Sequence, residues 1–381
     1  MIERCVEGSI SLDGIAPELF DCLQVNLALL AEHHHGRDTG CRLGTSLTFA
    51  PRWDVGSLPT VAPSIAQHLD AANRWLGLAV AQVSRAAGAQ FVEIVSDGAV
   101  RFCVADAFEL PWLPSFGRQH AEHGFLIERC DDAWIATDAY RNRTPWGEAE
   151  PGRWRVQLND VHSFGEVEVE VVTLVPAPLA PRPSTVSVDL GAVSEYVEAF
   201  ASCADQTAAV EALTLETWLL VRSRHLHAAA RRARGLTCEP AELAHLERWE
   251  TLAEQAYIAF RRAARGQADA RRVVSELQSL LEADADVFDY ELDESPAPNL
   301  VERTVLRTIS ASFGLDARAI RHDSELRAFD NFTSMRLVEI IERIESELAV
   351  EVDAADLVAS NLKQVGDLVR IAQRARTVTN V

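Results

Sequence analysis

The spacing of apolar residues changes along the chain, and the first stretch combines two kinds of pattern. Helical spacing begins after Phe20 and again over Ser64–Ala87, and short runs of β-branched and aromatic residues follow. The runs predicted as strands are Gln90–Val95, Val100–Ala105, Gly124–Glu128, Ala133–Thr137 and Glu166–Val175. Runs of this kind, joined by turn residues, favour one antiparallel sheet. The pattern predicts an α+β domain over residues 1–182.

A helical pattern replaces these runs after residue 186. Prolines are concentrated between Pro176 and Pro183, where they interrupt strand and helix alike and mark a boundary. Beyond them apolar residues recur at helical spacing, with Gly235 and Gly266 as stops. The predicted helical segments are Val193–Phe200, Leu213–Arg234, Leu243–Arg265 and Val273–Leu281. We therefore expect an all-helical domain over residues 187–285 and an acidic, proline-containing linker over residues 286–298.

The last part of the chain has the pattern of a small helical bundle. Apolar residues keep helical spacing over Leu300–Phe313, and a loop then leads to Ser334. From Met335 a second helix turns its aliphatic residues inward and its glutamates outward. Two further helices are predicted, over Asp353–Ala359 and Val365–Ala375. The sequence predicts a four-helix bundle over residues 299–376.

Composition narrows the classes of function. The formal net charge of -21 would repel a phosphate backbone, so nucleic acid is not an expected partner. No apolar run approaches the roughly 20 residues of a membrane span, and the N-terminus lacks a signal pattern, so we expect a cytoplasmic protein without a membrane partner. The seven cysteines include no C-x-x-C pair, so neither a disulfide framework nor a metal site is expected. A cysteine of interest is then a reactive thiol or core filler.

Cys22 stands at the start of a predicted helix, where the helix dipole favours a thiolate and backbone N–H groups can hold an oxyanion. His123 precedes an apolar strand, and a hairpin through Asp131 and Asp132 returns Asp138 beside it. A carboxylate in that place can orient an imidazole that deprotonates the thiol. The chain order Cys, His, Asp is that of papain-like folds, in which a nucleophile helix packs on an antiparallel sheet. Taken alone, a cysteine in a helix is more often buried filler.

Other polar residues have simpler interpretations. We read His33–His35 as a solvated helix end rather than a metal site, because adjacent side chains diverge on a helix. Asp106 is expected either to cap a turn or to line a substrate channel. A basic group on the long predicted helix could attract a phosphate, although a solvated face is the favoured interpretation. Its members are Arg222, Arg224, His225 and His227.

Ser334 ends a loop and opens an acidic helix. The segments concerned are Phe332-Thr333-Ser334-Met335 and Leu337-Val338-Glu339-Ile340-Ile341. They resemble the hallmark of acyl and peptidyl carrier proteins, which implies 4'-phosphopantetheine attached to the Ser334 hydroxyl by a phosphopantetheinyl transferase. A phosphate suits a helix N-terminus, where N–H groups lack intrahelical partners. The alternative is an ordinary helix N-cap. Ser324 lies too early in the loop to carry the arm.

The first domain carries a second resemblance. Its residues are Cys22 with its helix, Leu43–Phe49, and Val104–Phe116 leading into His120 and His123. They resemble the N-terminal domain of the butirosin biosynthesis protein H family, papain-like acyltransferases that pass an acyl group from a carrier protein to an amine. The resemblance implies Cys22 as nucleophile and His123, directly before the strand, as base in preference to His120. Asp138 would orient His123. The helical domain resembles the second domain of that family in position and helix content.

These resemblances imply a set of partners. They are a phosphopantetheinyl transferase, an acyl-loading enzyme such as an adenylating ligase or a synthase, and a small-molecule amine acceptor. The acyl donor is either the arm of Ser334 or a separate carrier protein. Two other functions stay open at this point. One is a thioesterase or peptidase, in which water replaces the amine, and the other is a carrier scaffold whose first two domains only recognise partners.

Overall fold

The computed structural model describes most of the chain. The described residues are 3–54, 56–157, 168–180, 185–236, 240–267, 269–288, 300–313, 324–329, 332–348 and 362–379, with the single positions 315, 320, 350, 352, 353 and 357. The chain divides into two compact units, Met1–Glu291 and Leu292–Val381. The regions predicted as 1–182 and 187–285 therefore lie in the same compact unit.

The first unit is built around an antiparallel sheet of seven strands. The strand order is β1-β9-β6-β5-β4-β10-β3, and every neighbouring pair is antiparallel. Outside it, β11 pairs in parallel with β2, and β7 pairs with β8. The strands are β1 (Glu3–Arg4), β2 (Ser46–Phe49), β3 (Leu78–Ala86), β4 (Arg101–Asp106), β5 (Glu122–Cys130), β6 (Ala133–Asp138), β7 (Asn142–Thr144), β8 (Gly147–Ala149), β9 (Gly152–Val156), β10 (Val169–Pro176) and β11 (Thr185–Val188). The mixed α+β class and the antiparallel sheet agree with the sequence pattern.

Helices cover the sheet and form the rest of this unit. They are α1 (Cys22–His35), α2 (Ile65–Ala71), α3 (Gly88–Ile94), α4 (Leu190–Ala201), α5 (Gln206–Ala233), α6 (Pro240–Ala263) and α7 (Arg271–Phe288). The aliphatic side of α1 packs on the sheet, where Leu27 and Leu30 share a buried cluster with Phe102 and Leu126. Burial of such side chains contributes roughly 1.5–3 kcal/mol each, so this contact anchors α1 to β4 and β5.

The helix α5 approaches the sheet region closely at Gly44. A Cβ on Gly44 would lie 2.3 Å from the carbonyl oxygen of Leu226, so only glycine allows the two backbones this contact. Next to it, His227 hydrogen-bonds through Nδ1 to the Gly44 carbonyl at 2.7 Å. The side chain of Leu226 belongs to the same buried cluster as α1. The helical region and the sheet region thus share part of one core.

Two predicted elements were wrong in type. The predicted helix over Ser64–Ala87 is instead α2, a π-helical turn to Leu76, and then the strand β3. Gly77 stops the helix in the left-handed conformation, with φ of 63°. The predicted strand over Gln90–Val95 is α3, because Phe91 and Val95 are spaced i, i+4 and are both buried.

The second unit contains three described helices, α8 (Leu300–Phe313), α9 (Ser334–Leu348) and α10 (Val365–Thr379). Their apolar faces meet in one cluster, with Ile309, Ile340 and Val365 in its interior. Most of the helix predicted over Asp353–Ala359, and residues 289–298 of the predicted linker, lie outside the described residues. Within the described part of the chain, no helix has the length and apolarity that a membrane crossing requires.

Candidate active site

The helix α1 begins at Cys22 because Asp21 caps it. The Asp21 carboxylate accepts hydrogen bonds from the backbone N–H of Leu23 at 2.9 Å and of Gln24 at 2.7 Å. The Gln24 side chain accepts from the Asp21 N–H in return, at 3.3 Å, which completes a capping box. Cys22 is therefore held at the first position of the helix, half-buried at the end of the sheet.

The structure brings together the three residues that the sequence indicated. His123 Nε2 and Asp138 Oδ2 are 2.8 Å apart, and both side chains are almost completely buried. The Cys22 thiol donates a hydrogen bond to the Glu122 carbonyl oxygen, 3.6 Å from the sulfur, and Cys22 is close enough to the His123 ring to contribute to the raised pKa of that histidine. Because Nε2 faces Asp138, the Nδ1 atom is the ring nitrogen left for Cys22. A thiol, an imidazole and a carboxylate form one chain of contacts.

His123 and Asp138 each favour the charged form of the other. Burial alone would lower the pKa of His123, but the charge and hydrogen bond of Asp138, with further contributions from Cys22, raise it to about 10. Burial alone would raise the pKa of Asp138, yet the adjacent His123 and its hydrogen bonds hold that pKa below its ordinary value. Near neutral pH His123 is therefore an imidazolium and Asp138 a carboxylate. A positively charged imidazolium is the electrostatic partner that stabilises a thiolate.

Asn26 occupies a gap between β5 and the end of β6, and the sequence analysis missed it. The ladder between these strands stops at Leu126 and Thr137. Two residues further along that register, the Asn26 side chain donates to the Gly124 carbonyl at 2.8 Å and accepts from the Ala139 N–H at 3.0 Å. Asn26 is fully buried and replaces the missing strand-to-strand bonds.

The same side chain also connects the nucleophile helix with the acid of the array. Its amide group lies 3.1 Å from the Cys22 carbonyl oxygen and 3.1 Å from Asp138 Oδ1. Asn26 is four residues after Cys22, one turn along the same helix face. A polar residue inside the otherwise aliphatic run Val25–Ala31, one turn after Cys22, was the signal in the sequence.

Two aromatic residues complete the surroundings of Asp138. Trp112 Nε1 donates to Asp138 Oδ2 at 3.1 Å, and the Tyr140 N–H donates to Oδ1 at 2.9 Å. The Tyr140 ring meets the His123 ring edge to face, with centroids 5.1 Å apart. Burial raises the pKa of the Tyr140 hydroxyl. Asp138 is thus fully hydrogen-bonded, which holds its carboxylate in one orientation toward His123.

The basic group on α5 is not a solvated face, so that interpretation was wrong. Arg224 forms a buried ion pair with Asp284, and His227 is buried against Gly44. Arg222 is half-buried and donates to the carbonyl oxygens of residues on both sides of the array. They are Pro17 at 2.8 Å, Phe20, and Arg141 at 3.0 Å. The α5 helix therefore ties the start of α1 to the segment that follows Asp138.

The remaining candidates have partners other than Cys22. His120 is exposed, pairs through Nδ1 with Asp106 Oδ2 at 2.6 Å and stacks on Phe108. Asp106 caps a short 3₁₀ turn by accepting from the Phe108 N–H at 3.0 Å, as one of its two interpretations predicted. His35 Nε2 lies 3.0 Å from the Gly77 carbonyl oxygen at the end of α1. Among the described residues, no cluster has the composition of a metal site.

Cys22 and His123 open into a cavity of about 390 Å³. Its lining comes from α1, α2 and the residues before it, the segment after β4, β5, the residues from Tyr140 through β7 and β8, and α5. The polar groups include Glu122, Gln119 and Asn142. Such a volume lies within the range of small-molecule sites, and a few polar groups in a largely apolar lining are typical of them.

Ser334 lies in the second unit, at the first position of α9, and its side chain is exposed. Thr333 performs the capping role, because its hydroxyl accepts from the Arg336 N–H at 3.1 Å and its carbonyl accepts from the Leu337 N–H at 3.1 Å. Ser334 is therefore not needed as the N-cap. Its side chain borders a cavity of about 470 Å³ whose apolar lining includes Phe332.

No protein-family model matches this chain, and no curated protein gives a significant match. A function therefore has to be argued from the side chains and cavities described above.

We expect Asn26→Leu to weaken both stability and thiol reactivity. Leucine has a similar size but leaves the Ala139 N–H and the Gly124 carbonyl without their partner. An unsatisfied buried group costs about 1–3 kcal/mol, so the loss of both partners should lower the free energy of unfolding by about 2–6 kcal/mol. Alkylation of Cys22 by iodoacetamide, followed by peptide mass spectrometry, should slow. Asn73→Leu, at an exposed position, is the control. Unchanged alkylation with reduced stability would mean that Asn26 only supports the fold.

The pKa of His123 also predicts how stability depends on pH. Below pH 6.5 the imidazole is protonated in both the folded and the unfolded chain, so the ion pair stabilises the fold fully. Between pH 6.5 and about 10 only the folded chain keeps that proton, so the free energy of unfolding should fall as pH rises, by up to about 1.4 kcal/mol per pH unit. His123→Gln should remove this slope.

Tryptophan fluorescence during urea unfolding is the suitable measurement. All eight tryptophans lie between Trp53 and Trp249, so the signal reports on the first unit alone. Because other titrating groups are shared by the native chain and His123→Gln, the difference between their slopes isolates His123. Identical slopes in the two proteins would show that His123 is not held as an imidazolium.

Proposed function

We propose that this protein is a cysteine-dependent acyltransferase that passes a thioester-bound acyl group through Cys22 to an amine. The observation that supports it most directly is the continuous array of Cys22, His123 and Asp138 at the mouth of a cavity. A thiol at a helix start, beside a histidine oriented by a buried carboxylate, has the three roles of nucleophilic catalysis. The first unit is accordingly proposed to have a papain-like fold, since α1 packs on an antiparallel sheet in that chain order.

The reaction would have two halves. In the first, the Cys22 sulfur attacks the thioester carbonyl, the carbon–sulfur bond of the donor breaks, and the protonated His123 gives its proton to the departing thiolate. In the second, the nitrogen of the amine attacks the acyl-Cys22 carbonyl while His123 accepts its proton. The Cys22 thiolate then leaves with the imidazolium restored beside it. No ATP is consumed, because a thioester is exchanged for a more stable amide.

The start of α1 offers a donor for the tetrahedral oxyanion. Asp21 satisfies the N–H groups of Leu23 and Gln24 through its carboxylate, and that of Val25 through its carbonyl. The N–H of Cys22 precedes these positions and has no acceptor within the helix. We assign this N–H to the oxyanion, where the positive end of the helix dipole adds to its effect.

The second unit is proposed to be a carrier domain. Bound to Ser334, 4'-phosphopantetheine would supply the thiol on which an acyl group travels. The exposed hydroxyl at a helix N-terminus and the adjacent apolar cavity fit a phosphate-linked arm. The proposal requires a phosphopantetheinyl transferase, an acyl-loading enzyme and an amine acceptor. The donor thioester is carried either by Ser334 or by a separate carrier protein.

Mass spectrometry of the intact chain tests the proposal. The protein is loaded from an acyl-coenzyme A by a phosphopantetheinyl transferase, and tryptic peptides show whether acyl reaches Cys22. Added amines should then discharge the acyl group as amides. Discharge at the same rate without an amine would indicate a thioesterase or peptidase. Acyl that stays on Ser334 and never appears on Cys22, even from a free thioester, would favour a carrier scaffold.

A further inference from the structure

The helix α5 forms one wall of the Cys22 cavity with apolar side chains. Leu215, Trp218 and Leu219 follow one another at helical spacing and all line the cavity. Leu113 and Pro114, from the segment after β4, add further apolar surface to the lining. Leu215 is about half exposed, although a large aliphatic side chain is usually covered. The wall offers hydrophobic contact and, from α5, no hydrogen-bonding group except the Trp218 ring nitrogen.

This wall is held rigidly against the catalytic array. The Arg222 guanidinium lies over the Trp218 ring, 4.2 Å from its centroid. The same guanidinium donates to carbonyl groups just before Cys22 and just after Asp138, as described above. A group bound against Trp218 would therefore meet a surface that is already formed and fixed relative to the thiol. Its binding would not have to offset the entropy cost of ordering a loop.

We propose that the acyl group taken up by Cys22 is apolar, an aliphatic chain of medium length, and that Leu215 and Trp218 determine its selection. This inference rests on the proposed acyltransferase function and names its donor class. Each methylene buried against the wall gains about 0.8 kcal/mol, which corresponds to about a fourfold gain in kcat/KM. The gain should continue until the chain fills the wall.

Rates of Cys22 acylation by a homologous series of donors test this selection. The probes are acetyl, butyryl, hexanoyl and octanoyl thioesters of N-acetylcysteamine, with the acylated Cys22 peptide as readout. The native full-length chain should prefer octanoyl over acetyl by tenfold or more. Leu215→Gln and Trp218→Gln place an amide in the wall and should reduce that preference about tenfold. Trp53→Ala removes an exposed tryptophan outside the cavity and should leave the preference unchanged.

A second readout does not depend on acyl transfer. N-methylmaleimide and N-hexylmaleimide alkylate the same thiol, and the hexyl reagent should react faster with Cys22 in the native chain but not in the Leu215 variant. Faster hexyl alkylation without any acyl transfer would support the apolar wall and overturn the acyltransferase. Acylation without dependence on chain length, together with equal alkylation rates, would overturn the apolar-donor inference while leaving the transferase. Leu215 is half exposed, so its substitution should not unfold the chain.

Discussion

Cys22→Ala should trap the acyl group on the carrier arm and stop its transfer to an amine. With the thiol removed, no acyl-enzyme forms, and loss of a nucleophile that acts together with its base lowers turnover by about 10⁴-fold or more. Cys22 is half-buried and does not belong to the interior of the core, so the variant should fold normally. The measurement is the amount of amide formed, together with the mass of the peptide that contains Ser334.

Cys203→Ala provides a matched control. Cys203 is also half-buried, and its sulfur lies 3.3 Å from a backbone carbonyl oxygen, much as the Cys22 sulfur does. It lies between α4 and α5, far in sequence from any residue of the array. Native turnover in Cys203→Ala with loss in Cys22→Ala would assign the chemistry to Cys22. Amide formation at the native rate in Cys22→Ala would refute the nucleophile assignment.

Ser334→Ala should abolish attachment of phosphopantetheine altogether. The hydroxyl is the atom that the transferase would modify, and alanine offers no substitute. The helix α9 should remain intact because Thr333, and not Ser334, caps it. After incubation with coenzyme A and a phosphopantetheinyl transferase, the native chain should gain the mass of one arm and the variant none.

Ser324→Ala separates this site from the other serine in the same region. Ser324 lies before the 3₁₀ turn at Leu326, and its carbonyl accepts from the Val365 N–H, so its backbone belongs to the packing of the unit. The variant should be modified like the native chain. An arm attached to Ser334→Ala but not to Ser324→Ala would overturn the assignment.

The Ser334 variant also decides which carrier supplies the donor. If the fused arm is the donor, Ser334→Ala should lose transfer from coenzyme A-loaded protein, while free thioesters still acylate Cys22. If a separate carrier is the donor, transfer from that carrier should persist in the variant. In both cases acylation of Cys22 by a free thioester can be measured without the carrier arm. Cys22 and Ser334 lie in different compact units, so Ser334→Ala should leave the structure around Cys22 unchanged.

Local patterns were sufficient for the elements whose side chains repeat over a few residues. The hairpin between β5 and β6 follows from two apolar runs around Asp131 and Asp132, and its register places Asp138 near His123. The helices α5, α6 and α7 follow from apolar spacing, because burial of one helix face requires it. The pattern was misleading over Ser64–Ala87 and Gln90–Val95, because short apolar runs fit either a helix or a strand. In the first segment pairing with β10 made residues 78–86 a strand, and in the second burial of one face made a helix.

The sequence by itself determined the α+β class, the thiol at a helix start and the hairpin that places a carboxylate beside a histidine, because each depends on contacts between near neighbours in the chain. The tertiary structure alone decided the roles of Asn26 and Arg222. Asn26 bridges strands about 100 residues away, and Arg222 donates to backbone groups up to 205 residues away. The periodicity of a sequence shows on which face of a helix or strand a side chain lies. It does not show which distant residues will pack against that face.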